Sequence, residues 1–284
     1  MSIVVNTNTT SLIVQKNLNI ATNILNSSME RMSTGSKINK AADDAAGFFV
    51  ETNMDTQIRG SQQAQSNIQI GMNMLSKAEG DINTLLSCVQ RIRDLSIQAS
   101  NEVYNEESLN AIDNEINLRI NTIRELIDAS EFNGQKLFKS FSQSTRTFAI
   151  GPNAEANENS ITIKNVFNDM IVGPNSLEVL FYTHHYTKGT VEYYYESISR
   201  TDTSIKFLAE KLATIGAYQN RLESANESLT VSIENLSAAK STIMDADIAK
   251  ESSNYVKSQI LQQASASLLT QVNQAPSIAL NLIR

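Results

Sequence analysis

Several residue types are scarce in this sequence. Its 284 residues include no tryptophan, one cysteine, two histidines and three prolines. Cys88 cannot form a disulfide within the chain, and a single thiol without an activating neighbour is a poor candidate for catalysis or metal binding. With so few prolines, only ten glycines and 41% hydrophobic residues, the composition favours long helices over a sandwich or barrel of short strands.

Basic charge and long apolar runs are also scarce. The chain has 23 Lys and Arg residues against 30 Asp and Glu, a formal net charge of −7, which gives no electrostatic support to nucleic-acid binding. No segment reaches the roughly 18 apolar residues of a membrane span, and residues 1–15 lack the basic and apolar regions of a Sec signal peptide. We expect no nucleic-acid partner, no membrane partner and no cleaved signal peptide. Taken alone, this favours a cytoplasmic protein but leaves open an export route without cleavage.

Sequence motifs of catalysis are absent. There is no H-E-x-x-H zinc motif, P-loop, Gly-rich dinucleotide turn or nucleophile elbow. The two histidines, His184 and His185, are adjacent and would point to opposite sides of a strand. The sequence therefore predicts no enzyme activity, no cofactor and no metal site.

Hydrophobic residues recur at helical spacing through both ends of the chain. Such runs extend over residues 75–92, 109–127 and 205–236 in steps of three and four. These narrow seams predict long helices with coiled-coil packing. Gln219 and Asn226 fall on the third seam, where a polar residue costs stability but can fix the register of a pairing.

The centre of the chain has a different composition. Most of the aromatic residues lie between Phe132 and Tyr218. Alternation around a Gly-Pro-Asn turn predicts a hairpin over residues 145–166, and residues 176–198 predict a second hairpin closing at Lys188-Gly189. The predicted fold class is mainly α, with a long antiparallel coiled-coil-like helical rod formed by both chain ends. A small β-hairpin-rich outer region would lie in the middle.

Both chain ends lack charged side chains, over residues 1–15 and 258–283. The C-terminal segment reads as a helix with Leu261, Leu268 and Val272 on one face and amides or hydroxyls elsewhere. Buried unpaired charges are costly, whereas amides and hydroxyls can be satisfied locally. The ends are therefore predicted to form the interior of a large assembly. The alternative is that they are two disordered tails.

A distinctive segment, MSTGSKINKAADDAAG at residues 32–47, separates two long predicted helices. Gly35 and Gly47 would allow the backbone to turn, because glycine tolerates conformations that other residues resist. Asp43 and Asp44 would cap the start of the second helix. Two adjacent aspartates at a helix start are typical of a cap and not of a catalytic pair.

This joint segment closely resembles that of bacterial flagellins, whose typical form is L-S-S-G-x-x-I-N-x-A-x-D-D-A-A-G. The resemblance continues through QIRGSQQAQSNIQIGMNMLSKAEG, QRIRDLSIQASN and EFNGQKLF. On the return it includes GAYQNRLESANESL, SAAKSTIMDADIAKE and LLTQVNQAPSIALNLIR. Departures are Ala42, where the family often has lysine, and Phe48-Phe49, where smaller residues are common.

The resemblance implies an inner domain, a rod domain and an outer region. Residues 1–44 would supply the N-terminal helix and joint of the inner domain, and residues 243–284 its C-terminal helix. Residues 45–130 and 200–242 would form the rod, and residues 131–199 the β-rich outer region. The joint residues would be Gly35, Asn39, Asp43, Asp44 and Gly47. In the filament core, Leu261, Leu268 and Val272 would pack against the stripe of Leu18, Leu25 and Met29.

The resemblance also implies a function and partners. The chain would polymerise with itself into the extracellular flagellar filament, after export through the flagellar type III apparatus without a cleaved signal peptide. Its other partners would be an export chaperone and the flagellar cap and hook-associated proteins. The alternative is a hook–filament junction protein, which shares the helical ends, although the QRIRDLSIQ and NQAPSIALNLIR segments favour a flagellin.

Two further sites follow from the resemblance. The segment equivalent to QRIRDLSIQ is the one that the flagellin-sensing Toll-like receptor contacts in many flagellins, which makes that receptor a candidate partner. The matching positions are Arg91, Leu95, Gln98 and Glu115, an arginine anchor and an apolar side chain opposite a carboxylate. The sequence also resembles flagellins whose outer loops are O-glycosylated, which makes serine and threonine hydroxyls of this chain candidates for modification. The alternative is that these hydroxyls are unmodified. The candidates are Ser140, Ser142, Ser144, Thr145, Thr147, Thr201, Thr203 and Ser204.

Overall fold

The computed structural model of the chain describes residues 8–138, 145–153, 159–164, 166, 170, 177–180 and 189–283. In chain order its elements are α1 (Thr9–Thr34), α2 (Ala45–Ala99), α3 (Glu106–Ala129), β1 (Glu131–Phe132), β2 (Gln135–Lys136), β3 (Thr145–Ala149), β4 (Ser160–Lys164), a 3-10 helix (Leu177–Leu180), α4 (Val191–Met244) and α5 (Ile248–Ile283). This order confirms the prediction of a mainly α protein with long helices at both ends and small hairpins between them.

The hydrophobic seams explain why the two longest helices form. Along α2 the buried residues alternate in steps of three and four, as in Ala78, Ile82, Leu85 and Val89. Along α4, the buried residues Leu208, Ile215, Leu222 and Leu229 recur at every seventh position. This spacing keeps one narrow stripe of each helix facing a partner over its whole length.

Contacts divide the chain into two compact units. Residues 57–233 form one, called here the central unit, and residues 1–56 with 234–284 form the other, the terminal unit. The division falls inside α2 and α4. The central unit has a continuous core of buried side chains from α2, α3, α4 and the β region, such as Ile82, Ile123, Phe138 and Leu208. Gln219 on its seam donates a hydrogen bond to Glu79 Oε2 at 3.0 Å, which joins α4 to α2.

Two short hairpins belong to the central unit. Strands β1 and β2 pair across Asn133-Gly134, whose φ angles of 49° and 73° are those of a type I′ turn. Strands β3 and β4 pair antiparallel, with Phe148 opposite Ile161, which confirms the first predicted hairpin. The second predicted hairpin is wrong in its second strand, because residues from Val191 onwards belong to α4. Of its described aromatic residues, Tyr194 lies on the helical seam and is completely buried, whereas Tyr195 is 62% exposed.

The terminal unit consists of α1 paired with α5 together with the adjoining ends of α2 and α4. Among its described residues, the buried hydrophobic side chains are Ala21, Leu25 and Ile38. Each buried aliphatic side chain contributes only about 1.5–3 kcal/mol. In its described residues this unit therefore has only a small hydrophobic core.

Candidate assembly surface and recognition site

The joint after α1 is hydrogen bonded to the link between α4 and α5. Gly35 ends α1 in the left-handed conformation, at φ 70°, as predicted for a glycine that lets the backbone turn. Its carbonyl accepts from the N–H of Ala246 at 2.9 Å, and Lys37 donates from its backbone N–H to the Met244 carbonyl at 2.6 Å. The two helix breaks of the terminal unit are thus joined by backbone pairing, which local sequence patterns do not indicate.

The two aspartates of the joint have different partners. Asp44 Oδ1 accepts from the backbone N–H groups of Ala46 and Gly47 at 3.1 and 3.0 Å, so it caps α2 as predicted. Asp43 does not cap the helix. Its carboxylate accepts from the backbone N–H groups of Asn39 and Lys40 at 3.1 and 3.0 Å, and these bonds hold the Asp43 pKa below its usual value. Asp43 therefore stabilises the loop that precedes the helix.

Gly47 has a role other than the one predicted. It lies within α2 in a helical conformation and not in a turn. A Cβ atom at this position would lie 2.6 Å from Ile38 Cδ1 and 2.7 Å from Asp44 Oδ2. A larger residue here would have to displace the Ile38 and Asp44 side chains, because the first turn of α2 packs directly on the joint.

Polar side chains connect α1 to α5. The buried residues of α5 along this pair are Glu251, Ser258 and Ser265, which recur every seven positions. The bonds are Ser28 Oγ to Glu251 Oε2 at 2.8 Å, Arg31 to Glu251 Oε1 at 3.3 Å, Gln262 Nε2 to Thr22 Oγ1 at 3.0 Å, Ser11 Oγ to Asn273 Oδ1 at 2.9 Å and Asn8 Nδ2 to the Val272 carbonyl at 3.1 Å. The small serines allow the helices to approach closely, and the amides and hydroxyls satisfy one another across the seam.

The six residues predicted for the filament core lie in different environments in the subunit. Leu25 is buried, and Leu18 and Val272 are partly buried. Met29, Leu261 and Leu268 are 47%, 48% and 50% exposed. Within the subunit, α5 therefore turns Ser258 and Ser265 toward α1 and leaves Leu261 and Leu268 accessible. Leu261 and Leu268 are thus only half covered within this chain, and their packing against the α1 stripe in the filament stays a prediction.

Many other apolar side chains of the terminal unit are accessible. On α1 and α5 they are Leu12, Ile13, Ile20, Ile24, Ile248, Val256 and Ile260, and at the start of α2 they are Phe48, Phe49 and Val50. Accessible apolar side chains in such numbers are typical of an interaction surface. We call the accessible apolar residues of α1 and α5, including Met29, Leu261 and Leu268, the assembly surface.

We predict that acid weakens the pairing of α1 with α5 through Glu251. The hydrogen bond from Ser28, with further bonds from Asn254 and Arg31, lowers the Glu251 pKa despite burial. A carboxylate with a lowered pKa stabilises the folded state above its unfolded pKa, and this stabilisation is lost as pH falls from about 4.3 through the folded value. Thermal unfolding of α1 and α5 in assembled protein, followed by circular dichroism between pH 7 and pH 3, should show a fall in midpoint below pH 5. Glu251→Gln should flatten that fall, whereas Glu234→Gln, which removes an exposed carboxylate of the same unit, should leave it unchanged.

The predicted recognition site is divided between the surface and the core. Arg91 Nε donates to Glu115 Oε1 at 3.0 Å, and both side chains are accessible. Gln98 is also exposed and donates to Tyr104 Oη at 3.2 Å. Leu95 is only 2% exposed and belongs to the hydrophobic core. The expectation that Leu95 presents an apolar contact at the surface is therefore wrong, because the α2 seam requires this position to face inward.

The predicted glycosylation residues also differ in accessibility. Thr145 and Thr147 on β3 are exposed. Thr201 and Ser204 are completely buried, because they face inward on α4, and the prediction for these two hydroxyls is wrong. Thr203 is partly buried and donates to the Ser199 carbonyl at 3.0 Å. Ser140, Ser142 and Ser144 lie outside the described residues.

The described residues contain no cluster of three or more His, Cys, Asp and Glu side chains that could hold a metal ion. His184 and His185 lie outside them. Cys88 is a buried free thiol in the core of the central unit. In the same part of the chain, every helix is too short or too polar to cross a lipid bilayer.

Comparison with known proteins gives concordant matches at both ends of the chain. Residues 5–143 match the family model described as bacterial flagellin N-terminal helical region, and residues 198–283 match its C-terminal counterpart. The chain is 34% identical over 282 residues to a flagellin of Halalkalibacterium halodurans, covering 99% of this chain and 100% of that protein. It is 33% identical over 298 residues to the flagellar filament 33 kDa core protein of Treponema phagedenis, covering 99% and 100%.

A solved structure shares the fold. It is described as a flagellar hook-associated protein from Vibrio parahaemolyticus, and the likeness has a TM-score of 0.58 at 13% identity. The match covers 72% of this chain and 100% of that one. At this level of identity the likeness concerns the arrangement of helices alone.

Proposed function

Because this chain belongs to the bacterial flagellin family and is a structural subunit of the flagellar filament, we propose that its assembly surface is what holds neighbouring subunits together. The single observation that carries this proposal is that the terminal unit has few buried apolar side chains and many accessible ones. Its described hydrophobic core consists of Ala21, Leu25 and Ile38, while its long apolar faces stay accessible. Covering the remaining half of each leucine would contribute on the order of 1 kcal/mol per residue. Because these free-energy contributions recur along α1 and α5 of every subunit, together they support a stable polymer.

Reassembly of the purified protein tests this function. Filaments dissociated by heat and then cooled, or seeded with short filament fragments, should regrow into long filaments visible by electron microscopy. A hook–filament junction protein, the alternative, would form at most short oligomers under the same conditions. The helix arrangement shared with the hook-associated protein does not favour that alternative, because fold likeness alone does not separate the two functions.

Export and capping partners form a second part of the proposal. The subunit would pass unfolded through the flagellar type III apparatus, with an export chaperone shielding apolar residues before release. It would then add to the filament beneath the cap and beyond the hook-associated proteins. The absence of charge over residues 258–283 supports weak adhesion of an unfolded chain to the export channel. A strain lacking the export ATPase should retain the protein inside the cell, and peptide mapping of the exported protein should recover both chain ends uncleaved.

Recognition by the flagellin-sensing Toll-like receptor would use the accessible pair of Arg91 and Glu115 together with Gln98. These side chains lie on the exposed side of α2 and α3, and an arginine near a partner's aromatic or acidic groups is a common anchor. Leu95 supports this surface from beneath, since its side chain fills the core under the same turn of α2.

We predict that Arg91→Ala reduces receptor signalling at least tenfold without changing the thermal stability of the monomer. Arg93→Ala is the matched control, because Arg93 is on the same helix and forms a similar exposed ion pair, to Asp202 at 2.6 Å. Leu95→Ala should instead lower the free energy of unfolding by about 2–5 kcal/mol, as core truncations do. Dose–response curves in receptor-expressing cells, alongside thermal unfolding, separate the two effects. Equal signalling by the Arg91→Ala and Arg93→Ala monomers would remove the recognition proposal.

O-glycosylation of the outer region would involve the exposed hydroxyls of Thr145 and Thr147 on β3. Thr203 has a smaller accessible surface. An intact mass of the filament protein equal to its sequence mass would rule out glycosylation at all of these residues.

A further inference from the structure

The first turn of α2 carries two aromatic side chains that the described residues of the terminal unit leave accessible. Phe49 is 68% exposed, and Phe48 and Val50 beside it are each more than a third exposed. Residues on the other side of this turn are partly buried, including Gly47 and Glu51. We call Phe48 and Phe49 the aromatic knob.

The turn that carries the knob is capped and packs on the joint. Gly47 lies so close to Ile38 that a Cβ atom would be 2.6 Å from its Cδ1, and Asp44 caps the same turn. Ile38 is itself buried. Two exposed aromatic rings on a rigid turn lose little conformational entropy on binding, which suits them to act as an anchor.

A complementary feature lies on the face of α5 that points away from α1. A shallow, mostly apolar groove of about 530 Å³ follows one side of the helix. It is lined by Ser252, Ser253, Val256, Lys257, Ile260 and Leu261. These positions are opposite to Glu251, Ser258 and Ser265, which face α1, and the groove is continuous with the assembly surface. We call it the α5 groove.

We propose that the aromatic knob of one subunit inserts into the α5 groove of a neighbouring subunit in the filament. This inference rests on the proposed assembly function and identifies one contact within it. Knob and groove are different patches of the same chain, so the contact is heterologous. A heterologous contact does not use up both patches in a two-fold dimer, and where the rotation between subunits does not close into a ring it produces an open helical polymer.

Charge supports the pairing. Asp43 and Asp44 are exposed on the residues just before the knob, and Lys257 lines the groove. Lys257 is the last charged side chain before Arg284. Insertion of the knob would therefore bring acidic groups of one subunit near the ammonium group of Lys257 in the groove. This attraction favours one direction of the knob segment along the groove over the opposite direction.

Cysteine crosslinking between subunits tests the contact directly. In a Cys88→Ala background, the Phe49→Cys and Ile260→Cys proteins are prepared separately, mixed in equal amounts, assembled and oxidised. We expect a disulfide-linked dimer that forms only in the mixture and only in filaments. A mixture of Tyr195→Cys with Ile260→Cys is the control, because Tyr195 is 62% exposed but lies in the central unit. The crosslinked fraction should exceed that of the control at least tenfold.

Assembly measurements give a second readout. Phe49→Asp should raise the minimum protein concentration for polymerisation about tenfold, while Phe49→Leu, which keeps an apolar side chain, should change it little. Normal filaments that show no crosslink above the control would overturn the knob-and-groove contact and leave the filament function intact. Failure of the unmodified protein to assemble would instead remove the filament function itself.

Discussion

Removal of residues 258–284 is expected to abolish filament formation while leaving the central unit folded. The deletion removes most of α5, including Ser258, Gln262 and Ser265, which pair with α1, and Leu261 and Leu268, which are accessible for neighbouring subunits. The core of residues 57–233 is unaffected, because its buried side chains come from α2, α3, α4 and the β region. The truncated protein should therefore lose the ability to assemble while it keeps the fold of the central unit.

The experiment compares full-length and truncated protein in two measurements. Circular dichroism should show a helical protein whose main thermal transition is unchanged, and sedimentation with electron microscopy should show monomers without filaments. In the full-length monomer, proteolysis should cut within α1 and α5 well before it cuts α2. Truncated protein that forms filaments of normal length and diameter would mean that the charge-free C-terminal end is not part of the assembly core.

A single charge on the assembly surface is expected to have nearly the same effect. Leu268 is 50% exposed in the subunit. In the monomer of the Leu268→Lys variant, the lysine ammonium group can therefore remain in contact with water. In the filament the same group would be enclosed among uncharged residues, at a cost of several kcal/mol per subunit. Each 1.4 kcal/mol corresponds to a tenfold change in affinity, so the minimum concentration for polymerisation should rise at least a hundredfold.

Ile70→Lys is the matched control for this variant. Ile70 is also 50% exposed and also lies on a long helix, but it belongs to the central unit. Both variants should have the thermal stability of the unmodified monomer, while polymerisation should fail for Leu268→Lys alone. If Leu268→Lys assembles as readily as Ile70→Lys, the accessible face of α5 is not enclosed in the filament.

Local features of this protein were determined by the sequence itself. The steps of three and four along α2 and α4 define their buried stripes, since only residues at that spacing share one side of a helix. Asp44 at the start of α2 and Asn133-Gly134 between β1 and β2 depend on neighbouring backbone groups alone. Such features could be predicted because their partners lie within a few positions along the chain.

Which surface each helix turns toward its neighbour was decided by the tertiary structure. Helix α5 has leucines on one face and serines on another, and periodicity alone favours burying the leucines. The structure buries Ser258 and Ser265 against α1 instead, where the bond between Ser28 and Glu251 at 2.8 Å and the small side chains permit close pairing.

The same reason accounts for the misplaced site residues. Leu95 and Thr201 were assigned to the surface, but each lies on the seam of its own helix and is enclosed by helices distant in sequence. The bond from Ala246 to the carbonyl of Gly35 likewise joins breaks that lie far apart in the chain. A sequence pattern defines the residues that share a face, whereas the element opposite that face depends on how the whole chain folds.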